Sequence, residues 1–177
     1  MVVSLLNQKG LPRGLRNNNP GNLRISNIKW LGKIPNNQNT DKSFEQFTTM
    51  HYGLRAMATD IINDVSKKNL NTLASLINAY APPTENDTTN YINVVSKSTG
   101  IAPNQQIKLT NDLLAELMLA KIFVENGKNV VLKHLPNIKQ LILTAILDVN
   151  PATKKRISIT PLSVGAGALL LIGLFFF

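Results

Sequence analysis

The chain has 177 residues, room for one domain of ordinary size and a short appendage. Nineteen Lys and Arg against ten Asp and Glu give a net charge of +9, and without Lys154, Lys155 and Arg156 the body keeps sixteen against ten, or +6; this balance attracts polyanions such as nucleic acid, anionic lipid and acidic wall polymers without choosing between them. The absence of cysteine excludes disulfides, thiolate metal sites and a cysteine nucleophile, and His51 and His134 are too few and too far apart to suggest a metal site.

The N-terminus "MVVSLLNQKGLPRG" has an apolar run from Val2 to Leu6, broken by Ser4, with no basic residue ahead of it and no small-residue cleavage pattern after it. It reads as a short buried strand or packed arm over residues 1–12 and not as a secretory signal. The next stretch, "RGLRNNNPGN", has no apolar period that a helix or strand could use. Asparagine carries an acceptor and two donors on a short arm and tolerates left-handed backbone, so such a run can hold an irregular loop together by bonding its own backbone. The same amides, with Arg13, Arg16, Arg24 and Trp30 nearby, also suit a hydroxyl-rich ligand such as a sugar. A nucleic-acid surface fits less well, because Trp30 is the one aromatic near these arginines and the basic residues are not interleaved with stacking platforms.

"NLRIS" and "SFEQF", separated by the polar "PNNQNTDK", are the candidates for a small β-hairpin. From Met50 the pattern turns helical. Leu54, Met57, Ala58, Ile61 and Val65 recur at intervals of three and four. A second helix has Asn71 or Thr72 as cap and Leu73, Leu76, Ile77 and Tyr80 on one face, ended by Pro82 and Pro83. A third has Asn86 or Asp87 as cap, Tyr91, Val94 and Val95 as its buried edge and Gly100 as its stop. A strongly apolar fourth runs from Leu113 through Val124 to Gly127, and a fifth has Pro136 in its first turn with Ile138, Leu141, Ile142, Ala145 and Ile146 inward.

The C-terminus "KKRISITPLSVGAGALLLIGLFFF" is uncharged from Ile157 to Phe177 and preceded by a basic triplet. At about 1.5 Å per residue these positions span roughly 31 Å, against a hydrocarbon core of about 30 Å. A transmembrane helix over 157–177 is expected, with Lys154, Lys155 and Arg156 at the head groups and the folded body on that same side. The layout is thus an arm (1–12), a helical domain (13–150), a basic linker (151–156) and an anchor (157–177).

"RGLRNNNPGNLR", "TDKSFEQFTTMHYGLRAMA" and "NLNTLASLINAYAPPTENDTTNYINVVSKSTGI", in that order, resemble a family of phage and prophage proteins regarded as lysozyme-like or lytic-transglycosylase-like, some carried in virions. The likeness covers Arg13 to about Leu109. A more distant one is to bacterial glucosaminidases of the lysozyme superfamily, where a segment ending in Trp-x-Gly precedes an F-x-x-F strand and an amphipathic helix. The resemblance implies a mainly α, lysozyme-like domain, with the small hairpin near its N-terminus and the transmembrane helix after it. Combined with the tail, it implies a membrane-anchored peptidoglycan-degrading enzyme of muramidase or lytic transglycosylase type. Such a protein sits in the internal membrane of a tailless phage, and in the host membrane before assembly, and opens the host wall during infection. The alternative is a non-catalytic minor virion membrane protein using the same fold to link capsid or spike to the bilayer. Expected partners are glycan strands, the bilayer and other virion proteins, with nucleic acid ranked last and no cofactor.

Cleaving a glycosidic bond requires a carboxylic acid to protonate the leaving oxygen and something to stabilise the oxocarbenium-like state. Likeness to transglycosylases implies that one acid can suffice. Of the ten acids, Asp60 and Asp64 read as the polar side of a helix, Glu116 and Glu125 belong to a helix that is otherwise core, and Asp112 and Asp148 look like helix-end residues. Asp41, Glu45, Glu85 and Asp87 remain, with Asp87 read as an N-cap. The distant relatives carry their acid in a helix ahead of the Asn-rich segment, whereas residues 1–40 here contain no Asp or Glu. Either the acid has moved, or the fold serves as a binding module. The expectation is Glu85 as general acid with Asp41 assisting, and Asn18, Asn19, Asn22 and Tyr80 lining the glycan site.

Overall fold

A computed structural model describes residues 3–84 and 87–149. The protein is mainly α-helical, in the order α1 (Arg13–Arg16), α2 (Met50–Ser66), α3 (Leu73–Tyr80), α4 (Thr88–Thr99), α5 (Asn111–Asn126), α6 (Lys128–His134) and α7 (Ile138–Val149). The long helices begin where a short polar side chain can take a free backbone N–H. Thr49 caps α2, Asp87 caps α4 and Thr110 caps α5, while Thr72 and Ser75 form a reciprocal capping box on α3. Gly100, at φ 72°, stops α4 in the left-handed conformation that favours glycine.

The expected hairpin is reduced to a single antiparallel bridge. Arg24 pairs with Phe44, flanked by Ile25 N–H donating to Ser43 O (3.0 Å) and Glu45 N–H donating to Leu23 O (2.9 Å). No strand forms among the described residues. The pairing cannot extend because left-handed residues bracket it, Asn22 at φ 50° and Lys42 at φ 67°, and turn the chain away on both sides.

Two apolar clusters meet on α5. One gathers α2, α5, α6 and α7 around Leu54, Met57, Met118, Ile122, Ile138 and Ile142, with Leu5, Leu11 and Leu15 of the N-terminal region sealing it. The other joins α3 and α4 to Leu117 and Ala120 on the opposite side of α5. Each fully buried Leu, Ile or Met contributes about 1.5–3 kcal/mol of apolar burial, so a helix that feeds both clusters is held from two sides. Residues 3–12 lie along the first cluster as a packed arm, tied by Met50 N–H donating to Val3 O (2.9 Å) and Asn7 N–H donating to Arg16 O (2.7 Å).

Among the described residues no single helix is long and apolar enough to cross a membrane. The pair α6 and α7 has the composition, but it bends by 82° between its halves and buries Val131, Leu135, Ile138, Ile142 and Ile146 in the core. The expected anchor at 157–177 and its basic flank at Lys154, Lys155 and Arg156 lie outside the described residues.

Candidate active site

The asparagine run is an internal scaffold. Asn17, Asn18 and Asn19 are all buried, and each side chain spends its donors and acceptors on protein groups. Asn18 Oδ1 accepts from Leu5 N–H (2.8 Å), and its Nδ2 donates to Ser4 Oγ (2.8 Å) and Phe47 O (3.0 Å). Asn19 Nδ2 donates to Leu23 O (2.9 Å) and Glu45 O (3.0 Å), while its Oδ1 accepts from Leu23 N–H. Asn17 donates to Asp41 Oδ2 (2.9 Å) and accepts from Gln46 Nε2 (3.0 Å). The expectation that Asn18 and Asn19 line a ligand site is corrected on this ground, since both are 0% exposed.

The loop is locked against the helices at two places. A Cβ on Gly53 of α2 would collide with the backbone oxygen of Asn18, so only glycine lets that helix approach. At the end of α5, Asn126 Nδ2 donates to Pro20 O (2.8 Å) and to Ile122 O (3.0 Å). This contact sets Asn22, the last asparagine of the run, against the neighbouring Glu125. Asn22 Nδ2 donates to Glu125 Oε2 (2.6 Å), and Tyr91 Oη of α4 donates to Glu125 Oε1 (2.9 Å). Both oxygens of one carboxylate are thereby held, and its orientation is fixed by two different parts of the fold.

Glu125 borders a cleft of about 550 Å³. One side is the segment from Gly21 to Trp30 with Phe44, the other is the end of α3 through Tyr80 and Pro82, and Asp60 of α2 and Lys121 of α5 also line it. Tyr80 packs edge-to-face on Tyr91, with centroids 5.6 Å apart, and Lys121 Nζ lies 3.4 Å from the Tyr80 ring centroid. Lys121 is only 4% exposed. Burial pushes its ammonium below the usual lysine value, against the opposing pull of the Asp60, Glu125 and Asp64 charges. Burial also pushes the Asp60 carboxyl up, as does the neighbouring Asp64 charge, while Lys121 and Lys68 pull it down. The phenols of Tyr80 and Tyr91 are raised, chiefly by burial, and stay protonated as donors. The cleft therefore offers a carboxyl biased toward its protonated form, a second carboxyl held by two donors, and aromatic surfaces from Trp30, Phe44 and Tyr80. General acid catalysis beside a stabilising carboxylate requires this division of labour.

The expected residues divide. Asn22 and Tyr80 line the cleft; Asp41 does not. Its side chain is 3% exposed, with Arg13 Nε at 3.2 Å and Arg16 Nη2 at 3.9 Å. Burial raises its carboxyl, but donation from Asn17 Nδ2 and the Phe44 and Ser43 N–H groups, together with the Arg13 charge, brings it below the ordinary value. A carboxyl held ionised in an interior network is a poor proton donor, so Asp41 serves the loop and not the cleft. Glu85 lies outside the described residues. Asp87 caps α4 through Asn90 N–H donating to Oδ1 (3.1 Å). Asp60 and Glu125, set aside as a polar face and as part of a core helix, are the carboxylates that the described cleft contains. One signal for Glu125 was present in the sequence: Lys121 and Glu125 are charged residues four apart on the C-terminal half of α5, among Leu117, Met118, Ile122 and Phe123, where an isolated charge is expensive.

The protein is a mainly helical domain with a cleft lined by two carboxylates, a buried lysine and aromatic side chains. No known family profile matches the chain. Protein P5 of Pseudoalteromonas phage PM2 is 39% identical to it over 120 residues, which cover 66% of this chain and 72% of that protein. The chain belongs to the family of that phage protein.

Proposed function

We propose that this protein is a peptidoglycan-degrading glycosidase of a phage virion, of muramidase or lytic transglycosylase type, held to the virion membrane by residues 157–177. The cleft between Trp30 and Tyr80 binds the glycan strand. Asp60 is the proton donor to the leaving oxygen. Glu125, oriented by Tyr91 and Asn22, stabilises the developing positive charge, with Lys121 beside them in the same cleft. The observation that carries this reading is the shared cleft of Asp60, Lys121 and Glu125, in which burial moves the carboxyl and the ammonium in opposite directions. Kinship with a phage protein and the apolar C-terminal segment support the virion membrane as its location.

The test is a clearing assay on Gram-negative peptidoglycan with the full chain, beside Asp60→Asn and Glu125→Gln. Each variant is expected to lose about 100-fold or more of the activity while melting as cooperatively as the parent. Mass spectrometry of the fragments separates 1,6-anhydro ends, the mark of a transglycosylase, from reducing ends. Absence of clearing by the folded parent, or full activity in both variants, overturns the proposal.

A further inference from the structure

Helix α5 carries a second face on the side away from the carboxylate cleft. Glu125 follows Glu116 by nine residues, which at about 3.6 per turn is two and a half turns, so the two carboxylates leave the helix in opposite directions. On the Glu116 side α5 forms a ridge with a furrow along each flank, one of about 520 Å³ toward α4 and one of about 330 Å³ toward α7. Glu116, Leu119 and Lys139 border both. Val94 of α4, Val124 of α5 and Leu143 of α7 stand around these furrows exposed at 44%, 36% and 38%. A single exposed aliphatic is ordinary, but three from three helices about one ridge make a patch.

The charges of this face have an order. Along α5 and into α6 it runs from Asp112 and Glu116, through the apolar Leu119, Phe123 and Val124, to Lys128, whose Nζ lies 6.0 Å from the Phe123 ring centroid. Neither Glu116 nor Lys128 has an ion-pair partner among the described residues. The four charges lining the furrows, Asp112, Glu116, Lys128 and Lys139, cancel, so a polyanion or an anionic bilayer gains no net attraction here although the chain carries +9. A surface acidic at one end, apolar in the middle and basic at the other is complementary to itself turned by 180°. We propose that this face pairs two copies of the chain about a two-fold axis beside Leu119 and Phe123, α5 against α5 in antiparallel sense. Each Glu116 then meets the Lys128 of the other copy, the ridge of each α5 seats in a furrow of its neighbour, and the exposed aliphatic side chains leave water. Lys121 and Glu125 line the carboxylate cleft, and Glu125 borders neither furrow, so both clefts stay open on the outer sides of the pair. Such a dimer presents two sites to one polymer, whatever that polymer is.

Sedimentation equilibrium of the full chain in a density-matched non-ionic detergent reads the mass of the protein directly. A dimer is expected, with its dissociation constant raised about tenfold or more by Glu116→Lys or by Lys128→Glu alone, because the two-fold repeats each like-charge contact. The two single variants mixed in equal amounts are expected to regain the dimer, since each reversed charge then faces its opposite, and a chain carrying both substitutions is expected to regain it by itself. A monomer at every concentration overturns the proposal. A dimer that either reversal leaves intact overturns it too, since the contact then lies elsewhere, for instance in residues 157–177. Failure of both the mixture and the doubly substituted chain to pair shows that Glu116 and Lys128 do not meet, with the same consequence.

Discussion

Asp60 and Asp41 have opposite pH signatures. The Asp60 carboxyl is raised above its ordinary 3.8, first by burial and then by Asp64, so ionising it costs more in the folded protein than in the unfolded chain. Its contribution to stability is complete below 3.8 and is lost as pH rises through the raised value. Asp60→Asn removes that loss. The variant is expected to melt above its parent at pH 7, with the gap closing below pH 3.8, and thermal scans across that range check it; a gap of the same size at every pH would rule out the assignment. Asp41 is lowered, so its contribution is present above 3.8 and is lost as pH falls through the lowered value. Asp41→Asn is expected to melt below its parent at neutral pH and to converge with it in acid, measured in the same scans. The Asp60 shift favours the protonated form, the direction the proposed proton donor needs, and the Asp41 shift favours the ionised form, the direction that suits a brace.

Between elements, the closest fit is the crossing of α2 over the asparagine loop. Gly53→Ala sets a methyl against Asn18 O and 3.3 Å from Asn19 Cα, both backbone atoms that no rotamer change can clear. Loop and helix must separate, at a cost of about 3 kcal/mol, and a denaturant titration is expected to show the midpoint falling while the slope is kept. The crossing also marks how far a linear reading of the chain reaches. The long helices declared themselves through apolar periodicity and caps such as Thr72 and Asp87, because both signals are local. Helices α1 and α6 did not, since each is short and begins at a residue, Pro12 or Gly127, that makes no side-chain cap. The site was legible only in part. A polar helix face looks the same whether water or a cleft lies beyond it, and what lies beyond Asp60 and Glu125 is decided by residues from 21 to 30 and from 79 to 82 folding over them. The asparagines announced an irregular loop, and the structural use of Asn17, Asn18 and Asn19 is the one that local hydrogen bonding favours.

Over the whole molecule the charge is +9, while the proposed wall substrate is acidic. Long-range attraction of this kind fades once the screening length falls from about 10 Å at 0.1 M salt to about 3 Å at 1 M. Binding of the full chain to sedimented peptidoglycan is therefore expected to weaken steeply over that range, while melting temperature changes little; salt-independent binding would show that net charge plays no part in capture.

The bond between Asn22 and Glu125 joins residues 103 positions apart. At about 5–20 residues per second, a ribosome needs roughly 5–20 s to pass from one to the other. For that interval the loop has been made while its counterpart has not, so the carboxylate cannot be oriented in any nascent chain shorter than α5. The cleft that Asn22 and Glu125 share is therefore assembled only late in synthesis, once α5 has been made. Timing is written into the order of the residues.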